Sequence, residues 1–181
     1  MAIGGTVRRF EVELADSDRG IYETLDLRTA QHPSESGRYL VARILARALE
    51  HAEGIDFSRG LDVDDEPALW QKNLRGELQA WIEVGSPSTE RLHRATKQVK
   101  RVVVYTWRKA DELAAAITEA GVHRGDTIEL RELDGSFLDI VAATLDRVNR
   151  WSVSVTGGTI YLTANDVACE TSVRAVAIPE K

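Results

Sequence analysis

The chain has 181 residues, of which 43% are hydrophobic and 29% charged, with a net charge of −6 and a single cysteine, Cys169. A chain of this length buries roughly 70% of the surface its unfolded form exposes, so one domain spanning residues 1–181 is expected to fold without a disulfide or metal staple. Disorder throughout, a spanning helix of roughly 18 unbroken apolar residues, an internal disulfide and a multi-cysteine zinc site are all excluded.

The opening MAIGGTVRRFEVEL carries no apolar export region, so a cytoplasmic, reducing compartment is expected. The negative total argues against a nonspecific nucleic-acid coat. Charge is unevenly distributed, however. Residues 50–66 hold seven acids against Arg59 alone, and residues 86–109 hold seven bases against Glu90 alone. The plain reading of both blocks is a pair of solvated faces.

The elements follow in chain order. Phe10, Val12 and Leu14 alternate with Glu11 and Glu13, then Ile21, Leu25 and Leu27 oppose Thr24, Asp26 and Arg28. The stretch Asp16–Gly20 between them is turn chemistry, so an antiparallel hairpin is expected. Ser34 stands as N-cap of a helix with Glu35 in its first turn. Its apolar stripe is Leu40, Ile44, Leu45, Ala48 and Leu49, with Arg38, Arg43 and Arg47 off that stripe, and it closes near Gly54. Residues 55–75 read as an irregular acidic loop, with a short helix starting in Asp64–Gln71.

The sharpest pattern comes next. Leu78, Ala80, Ile82 and Val84 alternate with Glu77, Gln79, Trp81 and Glu83 before Gly85 and Pro87. A helix over 88–100 and the apolar run Val102–Val104 complete a βαβ unit. A helix over about 109–120, a strand near Thr127–Leu130, a helix from Ser136 to about Val148, a hairpin turning at Gly157-Gly158 and a strand near Ser172–Ile178 follow. The fold class expected is α/β: one mixed β-sheet with helices on both faces, antiparallel at both chain ends and parallel in the middle.

Three acidic positions stand out. Glu83 sits near the carboxyl end of its strand, where ligand sites gather in open α/β sheets, Asp65 lies in the acidic loop, and Glu35 begins the first helix. Magnesium takes one or two protein carboxylates and binds phosphate oxygens. Arg91, Arg94, Lys97 and Arg101 recur every three or four residues on the helix after Glu83 and would clamp phosphate. Loosely spaced acids are equally at home as salt-bridged surface groups, and the basic residues as the outside of an amphipathic helix. His32 reads as a hydrogen-bonded structural histidine, and Trp70 with Trp81 as packing.

The ordered set His32-Pro33-Ser34-Glu35, Gly60-Leu61, Asp64-Asp65-Glu66-Pro67 with Trp70, Trp81-Ile82-Glu83-Val84-Gly85 with Pro87, Arg91 and Ala95, and Val103-Val104-Tyr105-Thr106 resembles the YaeQ family of small bacterial proteins. Ala15–Arg19 resembles that family's first turn. The resemblance implies a PD-(D/E)XK nuclease-like core. Carried over by position, Asp65, with Glu66 as its rival, and Glu83 would be metal ligands, and Glu35 the helical acid. Position 85 is glycine where that superfamily carries a lysine, so Arg94 or Lys97 is the expected replacement. A Mg²⁺-dependent phosphodiesterase acting on nucleic acid is the leading expectation. A catalytically inactive nuclease fold that binds nucleic acid or protein is its rival.

Overall fold

The computed structural model describes residues 4–59 and 65–180. The N-terminal alternation folds as the hairpin β1 (Thr6–Asp16) and β2 (Ile21–Gln31), paired antiparallel along their whole length. Helix α1 spans Gly37–Leu49. Ser36, not Ser34, caps it, its Oγ accepting the Tyr39 N–H at 3.1 Å. Glu35 therefore precedes the helix and is not in its first turn.

Residues 55–75 contain two strands, β3 (Ile55–Phe57) and β4 (Leu69–Lys72), in place of the expected loop and helix start. The reason is period two: Leu69 turns into the main core while Trp70 pairs across from Trp81. The βαβ unit forms as read, with β5 (Leu78–Val84), α2 (Thr89–Gln98) and β6 (Arg101–Thr106), the two strands parallel. Helix α3 (Ala110–Glu119) and strand β7 (Glu129–Glu132) extend it. Helix α4 is short, Gly135–Ala142; a turn and loop over 143–147 follow, and β8 (Val148–Thr156) begins where the helix was expected to end. The Gly157-Gly158 turn leads into β9 (Thr159–Ala164). Strand β10 (Val167–Ser172) was not expected, and the expected last strand near Ser172–Ile178 is β11 (Arg174–Val176); the two join different sheets.

There are two mixed sheets where one was expected. The first has the order β10-β9-β8-β1-β2, and β1 runs parallel to β8. The second has the order β11-β7-β6-β5-β4-β3, with β5, β6 and β7 parallel. One core unites Phe10, Val12, Trp151 and Val153 of the first sheet with Ile82, Val103 and Tyr105 of the second, and α1 and α4 fill the space between them. A second core lies on the far side of the second sheet, where Trp81, Val102 and Val104 meet Leu92 and Ala95 of α2 and Ala114 and Ile117 of α3. Lying between two sheets, α1 is buried without a break from Leu40 to Ala48, Arg43 and Arg47 included. Among the described residues no helix is long and apolar enough to cross a membrane.

A carboxylate–arginine site at the end of β5

Strand alternation turns Ile82 and Val84 toward α1, and Trp81 and Glu83 toward α2. Glu83 is only 4% exposed. Its Oε1 accepts two hydrogen bonds, from Trp81 Nε1 at 2.6 Å and from Arg91 Nε at 2.6 Å. The Trp81 bond follows from i, i+2 spacing on one strand face. Arg91 reaches Glu83 because Ser88 caps α2 close to the strand end, which sets Arg91 in the first turn. Burial pushes the Glu83 carboxyl up from its ordinary value, against the pull of Arg91. The same guanidinium donates from Nη2 to the Glu66 backbone carbonyl.

Glu66 is held by Arg59, whose backbone N–H donates to Oε2 at 3.0 Å and whose Nε donates to Oε1 at 2.6 Å. The Arg59 hydrogen bond holds the Glu66 carboxyl below its ordinary value. Asp65 points outward with 87% of its side chain exposed, and its nearest cation is Arg94 at 3.7 Å, itself 55% exposed. Lys97 is exposed on α2. Gly60, Leu61 and Asp64 of the family motif lie outside the described residues.

Glu35 is buried against Arg43. Arg43 Nε and Nη2 donate to its two carboxylate oxygens, each at 3.0 Å, and the His32 N–H adds a third bond at 3.2 Å. Burial again pushes this carboxyl up. Tyr39, in the first turn of α1, has its hydroxyl pushed up to about 12, first by burial and then by the charge of Glu83, with Glu35 adding to it. Its ring packs edge-on to Trp107, with centroids 6.1 Å apart.

Gly85 closes the arrangement. Its φ is +99°, and a Cβ built there would lie 3.3 Å from the Tyr39 ring. A lysine at this position would be strained and crowded, so the missing ε-amine reflects local backbone geometry. Arg91, not the expected Arg94 or Lys97, is the cation set against Glu83. Its place in the first turn of α2 is the signal that separates it from its neighbours. Tyr39 and Trp107 carried no sequence signal.

The structure thus joins Glu83 to the Glu66 backbone through Arg91, pairs Glu35 with Arg43, and leaves Asp65 facing outward. Among the described residues no three His, Cys, Asp or Glu side chains are grouped to hold a metal ion. As arranged, these acids do not fit magnesium: an octahedral oxygen shell at about 2.1 Å would have to take Glu83 Oε1 from two donors and share space with a guanidinium.

Fold and site together define a two-sheet α/β protein with arginine-closed carboxylates at the end of a parallel strand. The YaeQ protein family model matches residues 1–173, and the chain belongs to that family. It is 30% identical to "Uncharacterized protein YaeQ" of Escherichia coli (strain K12) over 163 residues, covering 90% of each chain. The Salmonella typhi relative of the same name is 28% identical over 163 residues. The crystal structure of YaeQ protein from Xanthomonas axonopodis pv. citri superposes with a TM-score of 0.87 at 31% identity, covering 97% of this chain and 99% of that one. YaeQ protein from Pseudomonas syringae gives 0.88 at 29% identity, with 96% of each chain covered.

Proposed function

We propose that this chain is a non-hydrolytic nucleic-acid-binding protein built on a nuclease-like frame. The observation that carries the reading is the closure of Glu83 by Arg91 and Trp81. A carboxylate beside a phosphate-binding surface repels the ligand unless it is neutralised or metal-bound. Here a guanidinium does the neutralising, while Arg94 and Lys97 on the next turns of α2 stay exposed to meet backbone phosphates. The resemblance to PD-(D/E)XK nucleases supports nucleic acid as the partner class. The arginine pairing of the acids weighs against the hydrolytic alternative.

Fluorescence anisotropy with labelled single- and double-stranded DNA and RNA at low ionic strength, with Mg²⁺ or with EDTA, tests the reading. Binding that falls with salt, weakens in Arg94→Glu and Lys97→Glu, persists in EDTA and leaves every probe uncut supports it. No salt-dependent binding to any probe overturns it. So does Mg²⁺- or Mn²⁺-dependent cleavage that Glu83→Ala abolishes, an outcome that would restore the phosphodiesterase with Asp65, Glu66 and Glu83 as metal ligands.

A further inference from the structure

Trp70 stands where the cover over the second sheet runs out. One row of opposed residues crosses the α2 face of that sheet: Val102 of β6, Trp81 of β5, Trp70 of β4 and Asp56 of β3. Helix α2 covers the first two, which are 2% and 4% exposed, whereas Trp70 is half-buried and Asp56 exposed. Of the four tryptophans, Trp81 gives its indole N–H to Glu83, and the N–H groups of Trp107 and Trp151 are buried without an acceptor. The Trp70 N–H has no acceptor among the described residues and is not buried, so it meets water.

What lies over the ring is movable. The Lys72 ammonium sits over one face of Trp70, 3.6 Å from the ring centroid. That height is close to the roughly 3.4 Å between successive nucleotides of a strand. Among the described residues the ammonium makes no hydrogen bond or ion pair, and a lysine stem is flexible. The place of a stacked base is thus filled by a group that can swing aside.

The charges around the ring have a direction. Strand β4 and α2 run the same way, since β4 is antiparallel to β5 and α2 returns from β5 to the parallel β6. They are tied at their starts, where Arg91 Nη2 donates to the Glu66 carbonyl. Trp70 therefore lies alongside the exposed turns of α2 that carry Arg94 and Lys97. On that side Asp65 is matched by Arg94 and Glu66 by Arg59. On the other side the row ends in the exposed carboxylate of Asp56. Phosphates are drawn toward α2 and kept off β3, which turns a base toward the ring.

Resting on the nucleic-acid reading above, we infer that the partner is single-stranded and that one of its bases stacks on Trp70 in place of the Lys72 ammonium. In a duplex every base is already stacked on both faces, and the ring has nothing to take. In a single strand the base gains the ring and Lys72 is released to the adjoining phosphate. A base on an aromatic face is worth more than a solvent-exposed ammonium on the same face, so the exchange favours binding.

The test measures anisotropy of a labelled DNA strand of about 16 nucleotides, alone and annealed to its complement, over a salt series. Trp70→Leu is expected to weaken strand binding about 5- to 150-fold while leaving duplex binding and the salt slope where they were. Trp70→Phe should keep most of the affinity, and Lys72→Gln should flatten the strand's slope by about 0.7. Should Trp70→Leu not fold, the strand's quenching of the parent's indole emission, expected to vanish in Trp70→Phe, replaces it. Strand binding unchanged by Trp70→Leu, equal weakening of strand and duplex, or quenching that survives in Trp70→Phe overturns the stacking and leaves the phosphate surface of α2 standing. Absence of salt-dependent binding of the parent to either probe overturns both readings.

Discussion

Arg91 stands against Glu83 at 2.6 Å although the two lie eight positions apart, with strand end, turn and helix cap between them. The pair is buried on the glutamate side and half-open on the arginine side. Removing one partner of such a pair leaves an uncompensated charge in the interior. Arg91→Met is expected to cost about 2–4 kcal/mol, below the full 3–5 kcal/mol of a wholly buried pair because water reaches the arginine. Urea unfolding of parent and variant measures it, and Glu83→Gln combined with Arg91→Met should recover part of the loss.

The pH dependence of Glu83 has a definite sign. Burial raises its folded-state value above the ordinary 4.5. Its contribution is therefore fully present below 4.5 and is lost as pH rises through the folded value. Relative to Glu83→Gln, the parent should be most stable at acid pH and lose that advantage as pH climbs. Urea midpoints across pH for the two proteins check this, and a gap that widens with rising pH would contradict it.

The opposite sign holds at the clasp between the two hairpin turns. Asp18 accepts the Gly157 and Gly158 N–H groups at 2.7 and 2.8 Å, and these bonds hold its carboxyl below the ordinary 3.8. Its stabilisation is present above 3.8 and disappears as pH falls through the folded value. Asp18→Ala should lower the melting temperature near neutral pH and converge with the parent in acid.

Gly85→Ala tests the backbone account of the missing lysine. Positive φ and the nearby Tyr39 ring together predict a loss of about 1–3 kcal/mol. Gly85→Lys should be at least as destabilising and should confer no metal-dependent cleavage.

Binding through α2 makes a salt prediction. Each phosphate contact contributes about 0.9 to the slope of log affinity against log salt for duplex DNA. Arg94→Gln and Lys97→Gln should each flatten that slope by about this amount if each side chain holds one phosphate. Anisotropy titrations over a salt series read it directly.

Much of the fold was legible because its strongest signals are local. The alternation of β1 and β5, the apolar run of β6 and the Gly157-Gly158 turn each dictate structure within a few residues. The division into two sheets was not legible, because it depends on α1 being covered from both sides. Its arginines off the apolar stripe disguised that, and Arg43 is accommodated by Glu35, eight positions earlier, together with Thr29 and the Ala30 carbonyl of β2. Strand β4 was hidden by the acids and Pro67 before it. At the site, spacing singled out Glu83 and Glu35 but not their partners. Arg91, Arg94 and Lys97 share a helical period, and only the docking of α2 decides which of them reaches the strand.

The parallel pairing of β1 with β8 runs from Arg9 opposite Val148 to Asp16 opposite Val155. An N-terminal hairpin emerging from the ribosome must therefore wait, one long edge unsatisfied, until the polypeptide has been made past residue 155. Such a sequence-distant closure slows folding and prolongs the exposure of a sticky edge. Nascent copies of this protein should thus depend on holding factors more than the modest length of the chain implies.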